Sequence, residues 1–102
     1  MRVGWLETMK FFFTYVLVSS KDNMYYIGWT DDLEKRIKCH NLGEVKSTKD
    51  RKPLELVYYE ACTSKENAIK REKQLKSGFG RAYLKRRIGS GPVAQLVRAS
   101  AS

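Results

Sequence analysis

The stretch "MYYIGWTDDLEKRIKCHN" (24–41) decides how this chain folds. Residues 24–29 are rich in aromatic and β-branched side chains and read as a strand. Two aspartates follow, and then Leu33, Arg36, Ile37 and His40 fall at i, i+3, i+4 and i+7, the spacing of a single helix face. A strand therefore runs straight into a helix. That helix carries an arginine and the chain's only histidine on the stripe expected to be core.

Upstream, residues 11–19 are aromatic and β-branched and predict a buried strand. The "SKDN" between the two strands predicts a turn, with Asp22 and Asn23 suited to local side-chain bonds and positive φ. Residues 11–29 are thus expected to form a β-hairpin. The pattern Asp31 to Glu34 predicts a capping box that starts the helix at Asp31, and Gly43 a stop.

Downstream, "EVKSTKDRKP" (44–53) shows no periodicity and holds four cations, which predicts an exposed loop. "LELVYYEA" (54–61) predicts a third strand, and "TSKE" (63–66) a second capping box opening a helix to about Lys76. "SGFG" is expected to break that helix before a short third one over residues 81–88. The order β-β-α-β-α-α gives an α+β fold: a three-stranded antiparallel sheet packed with helices.

One domain is expected over residues 10–89, with an N-terminal extension over 1–9 and a flexible, Gly- and Ser-containing C-terminal tail over 90–102. A chain of 102 residues has room for one modest core. A net charge of +9 makes a polyanion a natural partner, although basic soluble proteins of other kinds share that balance. Cys39 and Cys62 form neither a CxxC pair nor a zinc-ligand spacing, which predicts free thiols in a reducing cytoplasm. The run "FFFTYVLV" (11–18) is far shorter than the roughly 20 residues that cross a bilayer, so no membrane partner is expected. The leader "MRVGWLETMK" lacks the apolar core of a signal peptide.

The second helix repeats the oddity of the first. Ala68, Glu72 and Leu75 fall at i, i+4 and i+7, which puts Glu72 on the packing side. A buried carboxylate costs several kcal/mol unless it is paired or binds a metal. Arg36 and Glu72 could simply pair with each other or reach out from the edge of the core. The hairpin, however, brings Tyr15 on the first strand close to the second, where Tyr25 and Tyr26 point to opposite faces. Two phenols, an arginine, a histidine and a carboxylate converging on one sheet face would be an uncommon arrangement for a packed core.

Over residues 11 to 88 the chain resembles the GIY-YIG nuclease superfamily. "TYV" (14–16) stands at the first triplet and "YIG" (26–28) at the second, followed by "GWTDDLEKRIKCHNLG" and "YYEACTSKENAIKREKQLKSGFGRAYLKRR". The likeness is to the small, single-domain bacterial branch, which is similar to the N-terminal nuclease domain of the incision protein of bacterial excision repair. It implies a DNA endonuclease acting in repair or processing with one Mg²⁺ or Mn²⁺. Nothing in the sequence resembles a sequence-reading module, which predicts structure-directed action with weak sequence preference, and the oligomeric state is open, a monomer being assumed. The likeness also implies that Glu72 holds the metal, Tyr15 helps activate water and Tyr26 contacts the scissile phosphate. Arg36 would neutralise developing charge, His40 would orient water or shuttle a proton, and Gly28 would let phosphate approach the backbone. Where several members carry lysine after "YIG", this chain has Trp29.

Residues 65–88 hold nine cations against two carboxylates. Lys76, Arg81, Lys85 and Arg86 there, with Lys46, Lys49 and Arg51 on the loop, are the expected nucleic-acid contacts. The alternatives are a nuclease fold that binds nucleic acid without useful turnover, and a basic protein-interaction domain.

Overall fold

The computed structural model describes residues 9–88. The elements are β1 (Phe12–Ser19), β2 (Tyr25–Thr30), α1 (Leu33–Asn41), β3 (Leu54–Cys62), α2 (Lys65–Leu75) and α3 (Gly78–Ile88). The strands form an antiparallel sheet in the order β2-β1-β3, so the fold is the α+β arrangement expected. The proposed extension and tail lie, but for Met9, outside the described residues.

β1 is central, and its residues 14–19 are all buried. Both faces are covered, so the strand reads as a continuous apolar run rather than an alternation. Val16 and Val18 pack with Ile27, Val57, Leu75, Leu84 and Ile88 under α2 and α3. Tyr15 and Leu17 pack with Leu54, Leu33, Ile37, Tyr26 and Leu56 under α1. Burying each of the larger aliphatic side chains stabilises by about 1.5–3 kcal/mol. The Thr14 hydroxyl donates to the Ala68 carbonyl at 2.9 Å and ties α2 to the central strand.

The pairing of β1 with β3 shifts register between Val16 and Leu17. Val57 is the extra residue of this bulge, and it exchanges the faces of β3. Leu54 and Leu56 face α1, whereas Tyr58 and Glu60 face α2, where Arg71 grips Glu60 at 2.9 and 3.0 Å.

The β1–β2 turn has Asn23 at φ 61°, with Met24 N–H on the Asp22 carboxylate. Two helix starts differ from expectation. Asp32 rather than Asp31 caps α1, accepting from Lys35 N–H, because Thr30 Oγ1 takes the Asp32 N–H and turns the chain one residue later. Asp31 instead pairs with Lys10 at 3.2 Å. Ser64 caps α2, since β3 runs on through Cys62. The glycines of "SGFG" lie inside the first turn of α3, not before it. A Cβ on Gly80 would fall 2.2 Å from the Leu75 carbonyl oxygen, so glycine lets α3 begin against the end of α2.

α1 ends with Gly43 at φ 79°, its N–H on His40 C=O and the Glu44 N–H on Cys39 C=O. The chain turns back, and the Asn41 side chain holds Leu54 through both its N–H and its C=O, at 2.7 and 2.9 Å. Between these two fixings lies the loop 44–53.

Candidate active site

α1 is anchored to the sheet by Leu33 and Ile37, and the same stripe carries Arg36 and His40 over β1. Tyr15 stands beneath them, 1% exposed, with His40 at 0%. Tyr15 Oη lies 2.9 Å from His40 Nε2, and Arg36 Nε donates to the same oxygen at 3.4 Å. The Tyr26 ring lies 4.9 Å from the His40 ring and 6.4 Å from that of Tyr15. Tyr25, on the alternate face, packs into the other layer. Tyr15, Tyr26, Arg36 and His40 are therefore one cluster.

The fourth contact was not legible in the sequence. His40 Nδ1 lies 2.7 Å from the hydroxyl of Thr48, which is fully buried within the loop read as exposed. Gly28 pairs with Tyr15 across the hairpin and is itself buried. A Cβ there would lie 2.6 Å from the Tyr15 hydroxyl, so the room left by this glycine is taken up by the Tyr15 ring.

Burial and the positive charge of Arg36 push His40 down to about 4, so the imidazole is neutral at physiological pH and carries one N–H. Burial raises the Tyr15 phenol above its ordinary range. The Arg36 hydrogen bond works against that rise, and the Tyr26 and Glu72 charges add to it. The neutral ring carries its one proton on Nε2 or on Nδ1. In the first form Nε2–H donates to Tyr15 Oη and the Thr48 hydroxyl donates to Nδ1; in the second the Tyr15 hydroxyl donates to Nε2 and Nδ1–H donates to Thr48 Oγ1. In either form Arg36, Tyr15, His40 and Thr48 make one hydrogen-bonded chain.

Glu72 reaches the cluster by charge rather than by contact. Its side chain is 17% exposed and holds Lys76 Nζ at 2.5 Å. Arg36 and Glu72 thus each have another partner and do not form the closed pair that was the simpler alternative. Among the described residues no three His, Cys, Asp or Glu side chains form a metal cage. A single recessed carboxylate already drawing a cation does fit Mg²⁺ or Mn²⁺ held largely by waters and substrate oxygens.

The expected nucleic-acid contacts divide. Lys46 and Lys49 are exposed on either side of Thr48. Arg81, Lys85 and Arg86 are exposed on α3, the helix covering the opposite sheet face from α1. Arg51 is engaged in the fold: it meets Asp22 at 3.2 Å and the Met24 carbonyl at 3.1 Å, clasping the hairpin turn. Lys76 is on Glu72. Lys65 Nζ lies over the Trp29 ring at 5.4 Å.

The GIY-YIG catalytic domain model matches residues 11–88. The chain belongs to the GIY-YIG family. This is a family of nuclease domains that act on nucleic acid and generally use divalent metal ions. The chain is 46% identical over 68 residues to the UPF0213 protein YazA of Bacillus subtilis (strain 168), covering 66% of this chain and 67% of that protein. It is 42% identical over 76 residues to the UPF0213 protein SSP2268 of Staphylococcus saprophyticus, covering 74% and 92%. The solution NMR structure of the UPF0213 protein BH0048 from Bacillus halodurans superposes with a TM-score of 0.50 at 32% identity, covering 83% of this chain and 93% of that one. These names state no activity. None of the described helices is long and apolar enough to cross a membrane.

Proposed function

We propose that this GIY-YIG domain is a metal-dependent endonuclease that hydrolyses DNA phosphodiester bonds, structure-directed with weak sequence preference, in DNA repair or processing. The observation that carries the reading is the Arg36–Tyr15–His40 chain, three chemically complementary groups joined at 3.4 and 2.9 Å between α1 and the central strand β1. Phosphodiester hydrolysis needs positive charge beside the phosphoryl oxygens and an acceptor for the proton of the attacking water. Arg36 supplies the first, and Tyr26 flanks the same spot as a phosphate contact.

The second requirement falls to Tyr15 and His40. At rest the proton stays on the Tyr15 oxygen, because the phenol is shifted up and the imidazole down. An anionic phosphodiester offsets the Arg36 charge that depresses His40, which makes Nε2 a better acceptor. Tyr15 can then release its proton to Nε2 as it takes one from water, while Arg36 steadies the phenol oxygen. Glu72 would hold one Mg²⁺ or Mn²⁺, which lowers the pKa of bound water and offsets charge on phosphate oxygens.

The test is plasmid nicking by the full chain with Mg²⁺ or Mn²⁺, with EDTA, and with Glu72→Ala. Cleavage is expected only with metal and intact Glu72. Cleavage that survives EDTA or Glu72→Ala would overturn the reading. The Lys76 ammonium on Glu72 favours a second reading, a nucleic-acid-binding module without turnover. It requires salt-sensitive DNA binding, with a log–log slope of about −4 if about five phosphates are neutralised, and no nicking by the wild type under either metal.

A further inference from the structure

Loop 44–53 presents charged and polar side chains to solvent at 46, 47, 49 and 50, yet turns one hydroxyl completely inward at 48. Two consecutive turns hold that residue in place: Thr48 N–H bonds Val45 C=O at 3.0 Å, and Arg51 N–H bonds Thr48 C=O at 2.9 Å. Thr48 Oγ1 meets His40 Nδ1 at 2.7 Å, on the side of the imidazole facing away from Tyr15. We propose that Thr48 is a positioning residue: its hydroxyl receives the Nδ1 proton of His40 and so keeps Nε2 unprotonated as the acceptor for Tyr15. The proposal rests on the reading of Tyr15 and His40 as the active centre.

The physical argument turns on which imidazole nitrogen carries the single proton. A free histidine side chain favours the Nε2–H form, so the protein has to bias the ring the other way. The hydrogen bond made by one nitrogen sets the state of the other. Arg36 already donates to the phenol oxygen, and Tyr15 is enclosed, so the phenol proton has Nε2 as its acceptor. Nδ1–H then needs a buried acceptor of its own, and Thr48 Oγ1 supplies it. With valine at 48, of nearly the same shape, an Nδ1–H would be buried with no partner. The ring would relieve this by moving its proton to Nε2. Nε2 would then donate to Tyr15, and the proton acceptor would be lost.

The chain has one histidine, so its tautomer can be read without assignment. Long-range ¹H–¹⁵N spectra of the ¹⁵N-labelled full chain at pH 7 are expected to show a protonated Nδ1 and an unprotonated Nε2. Thr48→Ser should keep that pattern. Thr48→Val should shift the tautomer ratio about tenfold or more toward Nε2–H. A wild type already in the Nε2–H form, a Thr48→Val spectrum like the wild type, or Thr48→Ser behaving as Thr48→Val would each overturn the proposal. If Thr48→Val fails to fold, the wild-type and serine spectra still decide it. In nicking assays Thr48→Val should lower kcat with KM unchanged, and an effect on KM alone would also overturn it. A chain that nicks no DNA yet shows the expected spectra refutes the nuclease reading and not the role of Thr48 on His40.

Discussion

Replacing Gly28 with alanine adds one methyl at the most crowded point of the cluster. Its Cβ would lie 2.6 Å from Tyr15 Oη and 2.8 Å from Cζ. Ordinary contact begins near 3.4 Å, so the tip of the ring must retreat by roughly 0.8 Å. Tyr15 is 1% exposed and its hydroxyl is held by His40 and Arg36, so it cannot swing into solvent. Overpacking of this kind costs about 1–3 kcal/mol. The Gly28 backbone is not in the positive-φ region, so alanine would otherwise gain about 0.4–1 kcal/mol through the unfolded chain. A net loss of about 1–2 kcal/mol remains, or about 5–15 °C in Tm for a domain of this size. Nicking should fall more steeply, on the order of a hundredfold, because a displacement near 1 Å misplaces a reacting group. Thermal unfolding and nicking rates measured on Gly28→Ala, Tyr15→Phe and the double variant test this. Removing the hydroxyl should relieve part of the Gly28→Ala penalty. A Gly28→Ala protein as stable and as active as the wild type would refute the placement of the Tyr15 ring.

Two further outcomes follow from the same geometry. His40 titrates near 4 in the folded chain and near 6.5 when unfolded. The unfolded state therefore binds more protons between these values, and stability is full above pH 7 and falls as the pH drops from 6.5 toward 4. The total loss is about 3 kcal/mol, with about 2 kcal/mol already lost at pH 5. Urea titrations at pH 7.5 and 5 should show this difference for the wild type and lose most of it in His40→Gln; equal slopes in both would contradict a buried neutral imidazole. Asn41→Ala removes both bonds to Leu54 and should cost about 1–3 kcal/mol in urea unfolding. Asn41→Asp, which keeps the acceptor for Leu54 N–H, should cost less than Asn41→Ala, and the reverse order would argue against this anchoring.

Much of the fold is legible because hydrophobic spacing and turn residues act locally. The continuous apolar run of β1, the i, i+3, i+4, i+7 stripe of α1 and the stop at Gly43 each reflect forces within a few residues. The same logic lets only one of Tyr25 and Tyr26 share the face of Tyr15, with Tyr26 implied by the resemblance, and it puts Arg36 and His40 on the packing side of α1. What escapes is decided by distant contacts. The bulge at Val57 exists only in the pairing of β3 with β1, so strict alternation assigns the wrong face to half of β3. Gly80 reads as a helix breaker, yet the close approach of Leu75 makes it a helix starter. Thr48 sits among charged neighbours with no periodic signal, and only the return of the chain after α1 brings it under His40. Arg51 and Arg71 count as surface charge in the sequence, whereas the fold commits them to Asp22 and Glu60.

Loop 44–53 is fastened from both sides. Thr48 enters the cluster, the Ser19 hydroxyl donates to the Arg51 carbonyl, Ser20 N–H bonds Pro53 C=O, and Arg51 clasps the hairpin turn. Lys46 and Lys49 therefore ride on backbone already held in one conformation. The entropy of ordering this segment is given up during folding and does not recur when a polyanion arrives. Were a polyanion to meet Lys46 and Lys49, only their side chains would remain to be ordered, since the spacing of their backbone positions is set beforehand.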